Sequence, residues 1–374
     1  MILDETEPFK ILLDSLPMTI SDLDRDRKNN FDLLRLIAAT LVIIEHSFLV
    51  TGNFFSGPMS YPVNYMDLGG FGVKVFFAIS GFLIVKSLLR QPTLSSFVWA
   101  RCLRIFPGLI IAAILCALII GPICTTLPLK DYFQSRAVYS FAYRLIIQHN
   151  FGNTLPHTFE HLPYPNAVDS PLWTLPAELL MYLGVLSAGA LLLLFRKNFK
   201  ALLNATPVII LVALFFKDFH FDTEYLPDIL PWAFSFLLGV TSYLARKHIF
   251  LNIYVLLVAV TSYATAAFFG YTDMLNYYIK MIMYSLVVVY GIMIVAYHPK
   301  LQVKGLHKLG DFSYGLYIYA FPLQQVLVSK FNLLNPFLHF LVSLPLALLI
   351  AVPSWYLIEK PALKLKAGRP SLTI

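Results

Sequence analysis

Charged side chains are scarce in this chain: Asp, Glu, Lys and Arg together make up 13% of its 374 residues. Soluble globular domains usually carry about a quarter of such residues, so the composition excludes an ordinary soluble protein. Hydrophobic residues account for 58% of the chain and fall in long runs. We therefore predict an integral membrane protein, with membrane lipid as its surroundings.

Cysteine is also scarce, and the three residues Cys102, Cys116 and Cys124 show no metal-ligand spacing. They indicate no disulfide framework, and we interpret them as packing residues. The segment 157–161 matches the H-x-x-E-H pattern of some zinc proteases. Pro156 and Pro163 leave almost no room for the helix which that pattern needs, so we expect no metal.

Ten apolar segments have roughly the length needed to cross about 30 Å of hydrocarbon, although the fifth is short. The expected fold class is an all-α, polytopic transmembrane helical bundle of about ten spans. The spans are predicted near residues 33–51, 70–89, 105–126, 172–195, 203–216, 226–245, 250–269, 277–297, 312–330 and 337–358.

The formal net charge of +7 reflects the distribution of basic residues between the loops. With both termini placed in the cytosol, 20 Lys and Arg residues fall on the cytosolic side and 7 on the opposite side. This asymmetry predicts the orientation of a membrane protein, so we expect no nucleic-acid partner. No internal repeat is visible, which counts mildly against a secondary transporter.

The chain is predicted to divide into a cytosolic leader over residues 1–30, a transmembrane domain over 31–362 and a cytosolic tail over 363–374. The leader carries seven carboxylates and lacks the apolar core of a signal peptide. One long extracytoplasmic connection, 127–170, is rich in proline and tyrosine. Long ordered loops often carry function, so we expect it to cover the outer opening of the bundle.

Arg35 and His46 are the most informative residues of the first span. They lie eleven residues apart, which places them on one helical face about 16 Å from each other along the axis. An ionisable side chain inside a bilayer is costly and normally faces a cavity or a partner. The pair therefore predicts a polar passage through the bundle.

Two further segments have a functional and a packing interpretation. Ser80, Gly81 and Phe82 follow several small residues in the second span, a pattern that also allows close helix packing. Arg101 and Arg104 share a helix face and suit phosphate oxygens, but basic residues also flank spans on the cytosolic side.

Glu178 lies inside the apolar run of the fourth span, after Trp173 and before Tyr182. A carboxyl group there is expected to be protonated, paired or in contact with water. One interpretation is a buried salt bridge to Arg35 or Lys74 that only fixes the packing of helices. Trp173 and Pro176 indicate an irregular helix start that faces a cavity, which slightly favours a functional role.

Taken in order, these segments resemble the membrane-bound acyltransferase-3 family, which includes bacterial O-acetyltransferases of surface polysaccharides. The resemblance runs from about residue 29 to 362. The matching motifs are Asp32-x-x-Arg35 with His46, Gly72-Val73-x-x-Phe76-Phe77-x-x-Ser80-Gly81-Phe82, Arg101-x-x-Arg104-Ile105-x-Pro107, Trp173-x-Leu175-x-x-Glu178-x-x-x-Tyr182, Ser313-Tyr314-Gly315-x-Tyr317 with Pro322, and Glu359-Lys360-Pro361.

The resemblance implies roles for individual residues. His46 is expected to be the essential catalytic residue, supported by Arg35, and Glu178 is expected to be a functionally important acid. Arg101 and Arg104 are expected to bind the phosphates of acyl-CoA. We assign Ser80, Gly81 and Phe82 to the same donor side, and Trp173, Tyr182 and Tyr314 to the acceptor.

Two departures from the family pattern affect these expectations. Many members have a second acid directly after the glutamate, where this chain has Leu179, so a carboxylate pair is not expected. The chain is also expected to lack the extracytoplasmic esterase-like domain that some members append.

The sequence thus predicts an enzyme of the bacterial inner membrane that moves an acyl group, most simply acetyl from acetyl-CoA, to a hydroxyl of a surface glycan or lipid-linked sugar. His46 would either deprotonate the acceptor or first take the acyl group itself. A succinyl or longer donor is an open variant. The alternative is a transporter or exporter of a glycan that uses Arg35, His46 and Glu178 as an intramembrane relay.

Overall fold

The computed structural model describes residues 18–24, 29–53, 67–90, 94–147, 154–195, 226–271, 275–298, 303 and 310–365. Within these ranges the regular secondary structure is helical, the helices are joined by turns and irregular segments, and Thr125 forms an isolated bridge with Thr158. The helices are α1 (Ile20–Leu23), α2 (Phe31–Val50), α3 (Leu68–Arg90), α4 (Leu94–Leu115), α5 (Leu129–Gln134), α6 (Arg136–Tyr139), α7 (Phe141–Ile147), α8 (Thr174–Phe195), α9 (Leu226–Leu244), α10 (Ile253–Phe268), α11 (Tyr277–Tyr297), α12 (Ser313–Phe331), α13 (Pro336–Ser354) and α14 (Lys360–Lys364).

Six helical segments are long and apolar enough to cross a membrane: Phe31–Val50, Leu68–Arg90, Ser96–Cys124, Ser170–Gly189, Tyr277–Tyr297 and Pro336–Lys364. Two shorter apolar helices, Leu230–Leu244 and Ile253–Phe268, occupy the positions of the sixth and seventh predicted spans. The ninth corresponds to α12. The fifth, 203–216, lies outside the described residues. These helices support a multi-pass membrane protein, and the predicted count of ten spans is not confirmed.

The helical conformation follows from the apolar sequences, because backbone groups in hydrocarbon must satisfy their hydrogen bonds within the segment. Two of the segments continue through single π-helical turns. Cys116–Ile120 extends α4 into Gly121–Cys124, and Trp355–Glu359 joins α13 to α14. Turns of this kind are rare and frequently occur at functional sites. The second one carries Trp355 and Glu359 toward the site described below.

The centre of the bundle is formed by α3, which packs against α2 and α9, and by α12, which packs against α2 and α13. The crossing of α3 with α9 depends on two glycines. A methyl group at Gly81 would overlap the carbonyl oxygen of Phe236, and one at Gly239 would overlap that of Ala78. Small residues at such positions let two backbones approach closely. This crossing fixes α3, which also contributes the wall of the site.

The long connection after α4 contains the three short helices α5, α6 and α7, and α7 packs against α4 and α8. Tyr132 is fully buried and donates a hydrogen bond to the carbonyl oxygen of Ala117 at 2.7 Å. Arg144 donates to the carbonyl oxygens of Ala137 and Thr154. The segment 154–173 that follows lies close to α12.

Candidate active site

A cavity inside the bundle is lined by three arginines from two helices, Arg35 of α2 with Arg101 and Arg104 of α4. We call it the arginine cavity. Its other lining residues come from α3, α4, α8 and α12: Val73, Phe76, Phe77, Ser80, Ile105, Thr174, Leu175, Glu178, Tyr182, Ser313, Tyr314 and Tyr317. Seven residues that the sequence singled out therefore meet here: Arg35, Ser80, Arg101, Arg104, Glu178, Tyr182 and Tyr314.

One carboxylate, Asp311, joins two of the arginines. Its Oδ2 atom lies 3.3 Å from Arg35 Nη1 and 2.5 Å from Arg104 Nη2. The Ser313 hydroxyl also donates to Asp311. Burial alone would raise the pKa of Asp311, but Arg104, Arg35 and Ser313 outweigh it and hold that pKa below its usual value. The carboxylate therefore stays ionised, and removing one partner of such a buried pair typically costs about 3–5 kcal/mol.

The two arginines of the Arg101–Arg104 pair differ in their surroundings. Arg104 pairs with Asp311 and also lies over the rings of Tyr314 and Trp355, at 5.6 and 5.9 Å from the centroids. Among the described residues, the Arg101 guanidinium makes no hydrogen bond or ion pair, and its Nε atom is buried without a partner. A buried polar atom without a hydrogen bond is costly, so this half-buried guanidinium is suited to an anionic ligand.

Glu178 belongs to a small hydrogen-bonded cluster on the wall of the cavity. The Ser80 hydroxyl donates to Glu178 Oε1 at 2.8 Å, and the Tyr182 hydroxyl, one turn along α8, donates to the same oxygen. Ser80 Oγ and Tyr182 Oη are 2.8 Å apart. The salt bridge from Glu178 to Arg35 or Lys74 is therefore not formed. Arg35 pairs with Asp311, and Lys74 lies over the rings of Trp232 and Tyr284.

His46 does not line the arginine cavity; it lies eleven residues after Arg35 on α2. Its ring meets the ring of Phe321 edge-on, with centroids 5.2 Å apart. Within the described part of the chain it makes no hydrogen bond. The neighbouring Ser47 accepts a hydrogen bond from Gln324 at 2.8 Å, which ties α2 to α12 at the level of the imidazole. The ring therefore packs inside the bundle.

A second cavity, which we call the loop cavity, opens where segment 154–173 meets the helices. It is lined by Thr154, Tyr164, Pro165, Asn166, Ala167, Ser170 and Trp173. Tyr164 packs against Phe321 with centroids 5.9 Å apart, so Phe321 contacts both Tyr164 and His46. Tyr317, one turn before Phe321 on α12, lines the arginine cavity. His46 lines neither cavity, and the two cavities share no lining residue, where we expected one continuous passage.

Two of the residues assigned to the donor side have other surroundings. Gly81 faces the backbone of α9, as described above. Phe82 is fully buried and packs against the rings of Phe31, Tyr243 and Tyr297. Both positions match the packing interpretation of this segment. Trp173 lines the loop cavity and packs against Trp232 with centroids 5.7 Å apart.

Several site residues were missed by the sequence analysis. Asp311 was overlooked because it lies just before a predicted span, where a charge is ordinary. Gln324 and Gln325 interrupt the apolar run of α12 and are fully buried. Gln325 donates to the carbonyl oxygens of Tyr164 and Ala167, two residues of the loop cavity lining. The same reasoning that selected Glu178, a polar residue inside an apolar run, would have selected both glutamines.

A search of the described residues finds no group of three or more His, Cys, Asp and Glu side chains arranged to hold a metal ion. In the H-x-x-E-H segment, His157 Nδ1 lies 2.8 Å from Glu160 Oε1, and both side chains are partly exposed. His157 and Phe159 have positive φ, which is incompatible with a helix there.

Comparison with known proteins identifies the class of this helical bundle with its cationic cavity: it is a membrane acyltransferase. The model of the acyltransferase-3 family, described as "Acyltransferase domain", matches residues 28–356. This chain belongs to that family.

Two relatives span nearly the whole chain. An "O-acetyl transferase" of Shigella phage Sf6 is 30% identical over 353 residues, which are 92% of this chain and 99% of the relative. "Nodulation protein 10" of Rhizobium leguminosarum bv. viciae is 27% identical over 364 residues, which are 91% and 95% of the two chains. No solved structure matches the chain.

Proposed function

We propose that this protein is an O-acetyltransferase of the bacterial inner membrane that moves an acetyl group from acetyl-CoA to a hydroxyl of a surface glycan or lipid-linked sugar. The observation that carries the proposal is the arginine cavity, in which Arg101 has no partner among the described residues. A guanidinium binds phosphate oxygens through paired donors, and acetyl-CoA presents several phosphates. The O-acetyl transferase relative supports the acetyl group.

Each of these residues then has a separate role in the reaction. Arg101 binds an anionic part of the donor in the arginine cavity, while the acyl end extends along α2 toward His46. The acceptor enters through the loop cavity, where Trp173 and Tyr164 offer aromatic faces. His46 accepts the proton of the acceptor hydroxyl while the hydroxyl oxygen bonds to the thioester carbonyl carbon. The carbon–sulfur bond then breaks, and the thiolate takes up the proton that His46 accepted and leaves as free CoA.

The placement of Glu178 supports a role beside the donor. It shares the arginine cavity with Arg101 and is fixed by Ser80 and Tyr182. His46 lies about 16 Å along the helix from Arg35, so the donor arm has to extend over that distance. We propose that the Glu178 cluster orients the arm along this path. Tyr314 was expected on the acceptor side, but it lines the arginine cavity and its hydroxyl donates to the Ile105 carbonyl oxygen at 2.8 Å, which supports a place in the wall of the donor site.

The proposal is tested with purified protein in nanodiscs and radiolabelled acetyl-CoA. We expect CoA to bind and label to move to glycan prepared from cells that lack this chain. Mass spectrometry of surface glycans with and without the chain should show one acetyl-sized difference. A protein that binds no CoA and moves no label, yet transports a glycan across vesicles, would be the carrier instead. Family membership favours the enzyme over that carrier.

A further inference from the structure

We infer that Arg101 and Arg104 have different roles: Arg101 binds the anionic ligand, whereas Arg104 and Asp311 are positioning residues that hold the cavity in shape. The inference rests on the proposed function for the identity of the ligand. The difference between the arginines rests on their contacts alone. Sequence spacing treats the two as equivalent, since residues three apart share a helix face.

The Arg104 guanidinium already contacts a carboxylate and two aromatic rings. Asp311 Oδ2 lies 2.5 Å from its Nη2 atom, and the rings of Tyr314 and Trp355 lie on its faces. Glu359, which is buried in the π-helical turn, adds a second carboxyl group within electrostatic range. A guanidinium with this many neighbours would have to give up an ion pair before it could bind a phosphate.

Asp311 connects parts of the chain that are far apart in sequence. It lies at the start of α12 and pairs with Arg35 of α2 at 3.3 Å and with Arg104 of α4 at 2.5 Å. Asp311 itself does not line the cavity, whereas both arginines do. It therefore acts on the ligand through the arginines, by fixing the distance between the helix that carries His46 and the helix that carries Arg101.

Arg101 has the opposite surroundings. It lines the same cavity, its Nε atom is buried, and the described residues give its guanidinium no ion pair. The nearest polar cluster is that of Tyr182 and Glu178, and Arg101 acts electrostatically on Tyr182. Arg104 is already paired and Arg101 is not, so we infer that a phosphate of the ligand binds Arg101.

The first experiment measures CoA binding to the protein in nanodiscs by isothermal titration calorimetry. We expect Arg101→Gln to weaken binding at least 10-fold and Arg104→Gln to weaken it less than 3-fold. Arg90→Gln, at the exposed end of α3, serves as the control and should bind like the wild type. Equal losses for Arg101→Gln and Arg104→Gln would overturn the inference, while absence of CoA binding by the wild type would instead overturn the proposed function.

The second experiment tests Asp311 by separating kcat from KM for acetyl-CoA. We expect Asp311→Asn to lower kcat at least 10-fold with KM changed less than 3-fold, and Asp311→Glu to recover part of kcat. Asp131→Asn, on the exposed face of α5, is the matched control. Wild-type kcat in Asp311→Asn would overturn the positioning role. If Asp311→Asn fails to fold, the comparison of the two arginine variants still decides the inference.

Discussion

At the scale of single residues, two side chains of the proposed site, His46 and Arg101, make no hydrogen bond or ion pair with the described residues. His46 has a ring contact with Phe321, and no described residue forms a hydrogen bond with its imidazole. Buried polar groups in structural roles are usually hydrogen-bonded. An imidazole left without a partner is therefore available to a substrate hydroxyl.

Replacing His46 by Ala should lower the rate of acetyl transfer by at least about 100-fold, the usual contribution of a general base. Thermal stability in detergent should change little, because the side chain makes no hydrogen bond to described residues. The measurement is initial rate with labelled acetyl-CoA, and His248→Ala at an exposed position is the control. A His46→Ala variant with wild-type rate would show that another group removes the proton.

Asp169 provides a pH-dependent prediction. It is fully buried beside the turn Ser170–Trp173, and neither carboxylate oxygen has a hydrogen-bond partner in the described structure. Burial raises the pKa of Asp169 well above its usual range. Because the pKa of Asp169 is raised in the folded state, the protonated carboxyl makes its full contribution to stability below the unfolded pKa of about 3.9. This contribution is lost as pH rises through the folded pKa.

We therefore expect the wild type to lose stability relative to Asp169→Asn as pH rises from 5 to 8. The difference should grow by up to about 1.4 kcal/mol per pH unit while the folded carboxyl remains protonated. Thermal unfolding of the detergent-solubilised proteins measures it. A constant difference across this range would contradict a protonated Asp169.

Residue types alone revealed part of the site. Arg35 and Glu178 were selected because an ionisable group in an apolar run needs a reason to be there, and both line the arginine cavity. Asp311 offered no such signal. Its importance comes from two arginines that are 276 and 207 residues away in sequence. Contacts of that range follow from the packing of helices, which the local pattern does not encode.

At the scale of helices, the crossing of α3 with α9 should be sensitive to a single methyl group. We expect Gly81→Ala and Gly239→Ala each to destabilise the protein by about 1–3 kcal/mol, because the added carbon meets backbone atoms that have little freedom to move. The comparison is with Gly184→Ala in α8, where no atom lies within 4 Å of the added carbon. Equal melting temperatures for the three variants would show that the crossing is looser than described.

Helix boundaries were predicted well where the apolar run is uniform. The structure places α2 and α11 within two residues of the predicted spans. The third span was predicted from residue 105, whereas its helix begins at Leu94, because the first turns of α4 carry polar residues. The three short helices of the loop after α4 carry no long apolar run, and helices of this length depend on tertiary contacts such as those of Tyr132.

At the scale of the whole molecule, orientation in the membrane is a prediction of the charge distribution. With both termini cytosolic, the loop cavity faces outward. We expect Asn166→Cys, at the exposed rim of that cavity, to react with a membrane-impermeant thiol reagent added to intact cells. Lys247→Cys should react only after the cells are opened, both variants being made in a Cys102→Ser background. The reverse pattern would invert the topology.

The general architecture followed from composition, because long apolar runs in a bilayer have few alternatives to helices. The division of the interior into two cavities did not. Phe321, which lies one turn after Tyr317 of the arginine cavity, contacts both His46 of α2 and Tyr164 of the loop. An ordinary phenylalanine in an apolar helix carries no sequence signal of such a position.

These ring contacts have an electrical consequence. A cell membrane stores energy as a proton gradient, and a water-filled hole from the arginines to the loop would discharge it. On the proposed function, the edge-on contacts of Phe321 with Tyr164 and His46 would help to keep such a hole closed while donor and acceptor approach from opposite faces. Chemistry across the bilayer would then be compatible with a sealed membrane.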